Sequence, residues 1–288
     1  MNCSRALELK KLAASLVKGA TMELYLTPKP GLVDLADTGS HTDLTVPIME
    51  QSIAYVGDYL EEIVQSLQNG QAFEYQKEIA IRAERRLFDN LGTNTHKGYI
   101  FLSGMLLIAQ WHAGCSEEAN IRQALASLSE KFFMSTVTGA ETHGQRVREK
   151  FKAGGIVRES IEGFPSLFDE ALPAYRAALK RHGCNTVASF AMMARLMQVV
   201  EDTTTLHRAG VEGLARVRRD GRQLERLIAA GEDCVAFLEE LNRHYIQMNI
   251  TIGGVADMLG LAYGMLIAGE EIPDQHQTSF LSAEIVPS

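Results

Sequence analysis

The stretch YIFLSGMLLIA at residues 99–109 is one of the two longest apolar runs of the chain, and MLGLAYGMLIA at residues 258–268 is the other. Both are shorter than the roughly 20 residues that a bilayer-spanning helix needs. A helix that is apolar on nearly every side has to be covered by other elements. We therefore predict two helices buried in the protein interior, both of which contain glycine.

The remainder of the sequence also favours helices. Proline is absent between Pro47 and Pro165 and again between Pro173 and Pro273, so nothing removes a backbone donor over long stretches. The low aromatic content of 7% disfavours a β-sandwich. The apolar spacing predicts helices at residues 6–26, 44–67, 73–90, 96–112, 117–135, 141–152, 166–181, 186–200, 207–219, 222–230, 232–247 and 254–268.

The sequence shows no sign of a division into several domains. No Pro/Gly/Ser linker and no repeat of fixed period interrupts the sequence. We predict a single all-α, multi-helix domain over residues 1–288, with buried glycine-rich central helices. Residues 272–288 are predicted to form a loose C-terminal tail.

Charge and cysteine content narrow the classes of function. The chain has 28 Lys+Arg against 36 Asp+Glu, a net charge of -8, which disfavours nucleic-acid and anionic-membrane partners. A polyanionic ligand must instead be bound locally, by a few cations or a metal ion. The four cysteines are far apart and form no CxxC pair, so neither a zinc site nor a disulfide framework is indicated. This cysteine pattern and the absence of a signal-peptide pattern predict a cytoplasmic protein.

The first polar segment is TPKPGLVDLADTGSHTD at residues 27–43. Two prolines and a glycine predict a stiff turn that fixes the charged residues around it. Asp34, His41 and Asp43 are suited to bind a hard divalent cation or to supply a general base. The alternative is an ordinary loop in which Ser40 or Asp43 caps the next helix.

The second polar segment, GTNTHKG at residues 92–98, directly precedes the first buried stretch. A buried helix carries the polar cluster at its start into the interior or a cleft. There Lys97 and the first-turn N–H groups would suit a phosphate. The alternative is a plain Asn or Thr cap with Lys97 reaching solvent.

Two further segments have the same character. The segment THG at 142–144 is only weak evidence for a binding site, because the charged residues beside it are equally typical of an exposed helix. DTTTLHRAG at 202–210 is combined with NITIGGVAD at 249–257, where paired glycines allow close approach of the backbone to a ligand. Asp257 is either a helix-dipole cap or a metal ligand facing the cleft.

Taken in order, these segments resemble the triphosphoribosyl-dephospho-coenzyme A synthase family over about residues 20–268. The resemblance implies an all-helical fold. It also implies that the 5-triphosphoribosyl group of ATP is transferred to the 2′-hydroxyl of 3′-dephospho-CoA, with release of adenine. The product would be the prosthetic-group precursor of the acyl carrier protein of citrate lyase or malonate decarboxylase.

Such a reaction makes physical demands on the site. Breaking the N-glycosidic bond builds positive charge on the ribose, so carboxylates are needed near it, with a base for the attacking hydroxyl. The triphosphate needs a firm grip, which Mg²⁺ and cationic side chains supply. The residues we predict as catalytic are Glu23, Asp34, His41 and Asp43. The predicted metal ligands are Asp34, Asp43, Asp202 and Asp257. The predicted substrate-binding residues are Lys29, Asn94, His96, Lys97, His143, Glu159, Arg208, Asn249, Gly253 and Gly254.

The sequence departs from the family pattern at two places. GIVRES at 155–160 stands where the family has GIRGEA, and Ile252 and Val255 replace a proline and a serine. These changes bear on the acceptor, which leaves two alternatives open. One is a transferase of the same family with another acceptor, and the other is a non-catalytic helical nucleotide-binding or scaffold protein. A homo-oligomer is compatible with the glycine-rich apolar helices.

Overall fold

The computed structural model describes residues 3–135 and 154–272. Within these ranges the chain forms α-helices and one π-helical turn, with no strand, so the all-α prediction is confirmed. The helices are α1 (Cys3–Tyr25), α2 (Val46–Gln68), α3 (Phe73–Leu91), α4 (Lys97–Ala113), α5 (Glu118–Ser135), α6 (Gly155–Ile161), α7 (Leu172–His182), α8 (Asn185–Val199), α9 (Thr203–Ala230), α10 (Cys234–Gln247) and α11 (Gly253–Ala268); the π-helical turn (Ser166–Ala171) directly precedes α7.

Most predicted helices begin and end close to the observed bounds, but three differences are informative. The predicted helices 207–219 and 222–230 are one helix, α9, whose only non-helical residue lies at Gly210 (φ 69°, ψ -165°). The predicted helix 166–181 begins as the π-helical turn. Helix α6 was not predicted. Its first N–H groups are held by a distant carboxylate, since Glu201 Oε2 accepts hydrogen bonds from Gly154 (2.5 Å) and Gly155 (3.1 Å).

Some predictions fall on residues that the structure does not describe. The helix predicted at 141–152 lies outside the described ranges, as does the predicted tail beyond residue 272. The single-domain organisation therefore stays a prediction.

Helices α4 and α11 run through the interior. Most of their residues are buried, and they pack against each other and against α1. The contact between α1 and α11 is especially close. A methyl group built on Gly19 would lie 2.3 Å from the carbonyl oxygen of Gly260 and 2.5 Å from the amide nitrogen of Gly264. The backbones therefore touch at this point, and only glycine fits there.

No helix in the described part of the chain is long and apolar enough to cross a membrane. The polar residues at the start of α4 and α11 are carried inward with these buried helices, and this arrangement builds the site described next.

Candidate active site

Asp202 joins the starts of two helices. Its Oδ1 accepts hydrogen bonds from the N–H groups of Thr204 and Thr205, both at 2.9 Å, and so caps α9. Its Oδ2 accepts one from Val255, at 3.1 Å, in the first turn of α11. The side chain is almost fully buried. One carboxylate thus fixes the N-termini of α9 and α11 beside each other.

Asp257 extends this arrangement to α4. It lies in the first turn of α11, and its carboxylate accepts a hydrogen bond from the backbone N–H of Tyr99. A methyl group on Gly98 would lie 2.1 Å from Oδ2 of Asp257, so the carboxylate rests directly on the glycine backbone. The partly positive N-terminal ends of α4, α9 and α11 therefore meet, an arrangement that favours binding of anions.

A buried ion pair lies close to this junction. Lys29 Nζ is 2.5 Å from Glu23 Oε1 and 2.5 Å from the Glu23 carbonyl oxygen, with only 1% of the lysine side chain exposed. Burial raises the pKa of Glu23, while the charge of Lys29 opposes that rise. The structure thus turns the Lys29 ammonium toward Glu23, where it neutralises a buried acid rather than facing solvent.

The acids of this centre influence one another. Burial raises the pKa of Asp257 well above its ordinary range, and the charges of Glu23 and Asp202 raise it further. Burial also raises the pKa of Asp202, against the effect of the backbone N–H groups that it accepts. The environment of Asp257 thus favours the protonated, neutral form of its carboxyl.

The Asp34 side chain binds the backbone of its own loop. Its oxygens accept hydrogen bonds from the N–H groups of Lys29 (2.7 Å), Ala36 (2.7 Å) and Asp37 (3.2 Å). The carboxylate therefore fixes the turn that carries Lys29.

The predicted metal ligands do not form a cluster. The described residues contain no group of three or more His, Cys, Asp or Glu arranged to hold a metal ion. The four predicted metal ligands are thus not gathered into one cluster.

Asp43 and His41 lie nearer the surface. Asp43 is exposed and accepts a hydrogen bond from the Thr93 hydroxyl at 2.6 Å, which lowers the pKa of the carboxyl. His41 Nε2 is 2.8 Å from Thr251 Oγ1. Burial, reinforced by the charge of Arg208, lowers the pKa of His41 to about 4. Asp43 is therefore ionised and His41 neutral at pH 7.

Arg208 ties the loop after α1 to the segment before α11. Its Nη1 donates to the Ser40 carbonyl oxygen (2.6 Å) and to Asn249 Oδ1 (3.3 Å), and Nη2 is 3.4 Å from His41 Nδ1. Asn249 is exposed and has a positive φ of 54°. Arg208 and Asn249, both predicted to bind substrate, are thus in direct contact.

The segment before α4 places its residues at different depths. His96 is buried, and its Nδ1 is 2.6 Å from the Ser52 hydroxyl. Lys97 is about half exposed and pairs with Glu84 at 3.0 Å. Asn94 is exposed. Lys97 and Asn94 therefore lie on the surface at the start of α4, while His96 belongs to the buried polar centre.

The remaining predicted residues do not share one set of contacts. Gly253 and Gly254 open α11, and a methyl group on Gly254 would meet Asp202 Oδ2 at 3.1 Å. Glu159 instead binds Ser166, accepting hydrogen bonds from its N–H and its hydroxyl at 2.8 Å, so it caps the π-helical turn. His143 lies outside the described residues.

Asn242 was missed by the sequence analysis. Its Oδ1 accepts a hydrogen bond from Gly31 N–H at 2.9 Å, and its Nδ2 donates to Asp37 at 2.8 Å. It therefore holds both ends of the Asp34 turn from α10. An asparagine inside an amphipathic helix carries no local signal for such a contact.

We expect Gly98→Ala to reduce turnover by about 100-fold while the protein remains folded, since displacement of a reacting group by about 1 Å has effects of this size. The added methyl group would push the Asp257 carboxylate off the start of α4. Steady-state kinetics and circular dichroism measure the two quantities. Gly57→Ala is the control, because its methyl group meets nothing closer than 3.7 Å. Full activity in Gly98→Ala would show that the position of Asp257 is unimportant.

The pKa of His96 predicts a pH dependence of stability. Burial and the nearby charge of Lys29 lower this pKa to about 4, against an ordinary value of 6.5. Below about pH 6.5 the unfolded chain takes up a proton that the folded protein does not, so the free energy of unfolding falls until about pH 4. At 1.36 kcal/mol per pKa unit the loss amounts to about 3 kcal/mol.

Urea unfolding at pH 7 and pH 4.5 measures this effect. His96→Gln should lose less stability on acidification than the wild type, whereas His182→Gln, a control at the end of α7, should behave as the wild type does. The acidic residues titrate in all three proteins, so their contribution cancels when the losses of stability are compared. Equal losses in His96→Gln and the wild type would contradict the assignment.

Comparison with known proteins gives a consistent result. The sequence profile of the family described as ATP:dephospho-CoA triphosphoribosyl transferase matches residues 9–276. The probable 2-(5''-triphosphoribosyl)-3'-dephosphocoenzyme-A synthase of Pectobacterium carotovorum is 30% identical over 257 residues, which cover 84% of each chain. The protein of the same name from Vibrio cholerae is 30% identical over 285 residues, covering 90% of this chain and 89% of the relative. No solved structure matches the chain.

Proposed function

Since the chain belongs to the ATP:dephospho-CoA triphosphoribosyl transferase family, we propose that it transfers the triphosphoribosyl group of ATP to the 2′-hydroxyl of 3′-dephospho-CoA. The single observation that supports this most strongly is the junction of three helix N-termini around the Asp257 carboxyl. It brings first-turn N–H groups, which suit a polyphosphate, beside an acid whose surroundings favour its protonated form.

In the proposed reaction, the bond between the ribose C1′ of ATP and N9 of adenine breaks, and a bond forms between that C1′ and the acceptor oxygen. Asp257 gives its proton to the departing adenine and becomes a carboxylate beside the positively charged ribose. The proton of the 2′-hydroxyl then returns to Asp257. Burial chiefly raises the pKa of the Asp257 carboxyl and the charge of Glu23 adds to this rise, so Glu23 acts through Asp257.

The triphosphate remains on the transferred ribose and must be held throughout. Asp202 and Asp257 accept hydrogen bonds from several first-turn N–H groups, so the remaining first-turn N–H groups would bind its oxygens. Lys97, at the start of α4, is half exposed and forms an ion pair with the partly exposed Glu84, so its ammonium can move to a phosphate. Arg208 would contribute a second cation from α9.

The residues also fit Mg²⁺, with an oxygen ligand from Asp43. Mg²⁺ in nucleotide sites is commonly held by one or two carboxylates together with phosphate oxygens, so a three-carboxylate cluster is not required. Asp43 is ionised and exposed in the loop before α2, where it contacts Thr93 ahead of α4, whereas the oxygens of Asp34 and Asp202 accept hydrogen bonds from backbone N–H groups. The ion would supply positive charge that neutralises the triphosphate.

The departures from the family pattern do not favour a different acceptor. Ile252 and Val255, which replace the proline and the serine, are buried at 0% and 1% exposure and belong to the apolar core. Arg158 is exposed and pairs with Glu162 at 2.9 Å. These changes therefore concern packing and surface pairing. The downstream carrier protein, the homo-oligomer and the cytoplasmic location stay predictions.

The test is incubation of the purified protein with Mg-ATP and 3′-dephospho-CoA, followed by chromatography and mass spectrometry. We expect equal amounts of adenine and of the triphosphoribosyl adduct, and none of either after addition of EDTA. CoA, which carries a 3′-phosphate beside the reacting hydroxyl, is the matched control acceptor. A folded protein that releases no adenine from these substrates would refute the proposal. Adenine release only with a different alcohol would identify another acceptor.

A further inference from the structure

A cavity of about 420 Å³ opens between α2 and α3. Its lining includes Tyr55, Tyr59 and Glu62 from α2 and Arg82, Arg85 and Arg86 from α3. Ligand-binding clefts typically enclose about 300–1,000 Å³, so its size suits part of a nucleotide. We call this space the α2–α3 groove. None of the predicted site residues lines it.

Three arginines line the groove beside the acids Glu62 and Asp89. They are spaced so that all three lie on one side of α3, in a chain that has fewer basic than acidic residues. Arg82 pairs with Glu62 at 3.1 Å and Arg86 with Asp58 at 3.0 Å, and all four side chains are about half exposed. Exposed pairs of this kind contribute little stability, so a phosphate can replace the acids.

Arg85 differs from its neighbours, since no hydrogen bond or ion pair engages it anywhere in residues 3–135 or 154–272. Its side chain is exposed at the groove. The guanidinium of Arg86 lies 4.9 Å from the centre of the Tyr55 ring. Arginine can bind phosphate through two parallel hydrogen bonds, and stacked arginine and tyrosine planes suit a nucleobase. The groove therefore combines phosphate donors with aromatic side chains.

The groove adjoins the candidate active site. Ser52, one turn before Tyr55 on α2, contacts His96. Glu84, between Arg82 and Arg85 on α3, pairs with Lys97. Both walls of the groove are thus joined to the start of α4. A ligand in the groove would lie beside a nucleotide at the helix N-termini.

We propose that the α2–α3 groove binds the adenosine diphosphate portion of the acceptor, a nucleoside diphosphate ester, while ATP occupies the helix N-termini. This assignment rests on the function proposed above, which requires two adenine nucleotides side by side. It gives the arginines of α3 a role in choosing the acceptor rather than in the chemical step.

Calorimetric titration with 3′-dephospho-CoA tests the assignment. Arg85→Ala and Arg86→Ala are each expected to weaken its binding about 10- to 100-fold, the usual effect of losing a charged hydrogen bond. Binding of ATP should be unchanged, and in steady-state kinetics the KM for dephospho-CoA should rise while that for ATP does not. Arg226→Ala removes an exposed arginine of α9 outside the groove and should alter neither affinity. Arg85→Lys should restore part of the affinity.

Two probes distinguish the parts of the acceptor. ADP should compete with dephospho-CoA in the wild type, whereas 4′-phosphopantetheine should not. Unchanged dephospho-CoA affinity in the Arg85→Ala, Arg86→Ala double variant would overturn the proposal, as would a selective loss of ATP affinity. Because Arg85 has no hydrogen-bond or ion-pair partner among the described residues, its variant should leave the fold intact while it tests the groove. If the wild type releases no adenine yet binds dephospho-CoA through these arginines, the proposed function fails and the groove assignment stands.

Discussion

Asp257→Asn is expected to reduce turnover by about 100- to 10,000-fold, the usual contribution of a positioned proton donor and acceptor. The amide keeps the shape of the side chain and can still accept the hydrogen bond from the Tyr99 N–H. It can neither protonate the leaving adenine nor present a negative charge to the ribose. Binding of ATP should change little, so the loss should appear in kcat rather than KM.

A measurement of stability distinguishes this catalytic role of Asp257 from a structural role. Burial and neighbouring acids raise the pKa of Asp257, so its contribution to stability is present below the unfolded pKa and is lost as the pH rises toward the folded value. Asp257→Asn should therefore be at least as stable as the wild type at pH 7. Asp233→Asn, at the exposed cap of α10, is the matched control and should retain full activity. Normal turnover in Asp257→Asn, or loss of turnover only through unfolding, would contradict the mechanism.

Gly19→Ala is expected to lower the free energy of unfolding by about 1–3 kcal/mol or more, as overpacking of a tight interior does. The new methyl group would approach the Gly260 carbonyl oxygen to 2.3 Å and the Gly264 nitrogen to 2.5 Å. Both are backbone atoms, so α1 and α11 would have to move apart. Because alanine is the better helix former by up to about 1 kcal/mol, any destabilisation has to come from this contact.

Chemical denaturation followed by circular dichroism measures the change. Gly57→Ala, also within a helix, should leave the free energy of unfolding unchanged or slightly raised, since its nearest neighbour is Val17 Cγ2 at 3.7 Å. Equal stability of Gly19→Ala and Gly57→Ala would show that α1 and α11 tolerate separation.

The sequence predicts most of this fold because its signals are local. Apolar spacing and proline positions locate the helices, and the two apolar runs correctly identify the interior ones, α4 and α11. Helix α6 could not be foreseen, since the carboxylate that holds its start, Glu201, lies far along the chain. The break in α9 was expected near residues 220–221, whereas the chain breaks at Gly210 and stays helical through Gly221.

For the candidate site, the sequence predicts which segments matter better than what each side chain does. Residues before α4, α9 and α11 were selected because polar clusters precede helices, and three helix N-termini do meet. The Glu23–Lys29 pair and the backbone contacts of Asp34 depend on exact distances, which spacing does not encode. Asn242 acts on Gly31 from 211 positions away, beyond the range of any local pattern.

The close contact between α1 and α11 has a consequence for biosynthesis. Helix α1 is synthesised long before its main packing partner, α11, which lies near the other end of the described chain. Until α11 is synthesised, α2 and α4 cover only part of the apolar side of α1, and until α10 is synthesised the turn carrying Lys29 lacks its contact with Asn242. The site can therefore be assembled only after α11 has been synthesised, and the part of α1 left uncovered until then is the surface most exposed to aggregation.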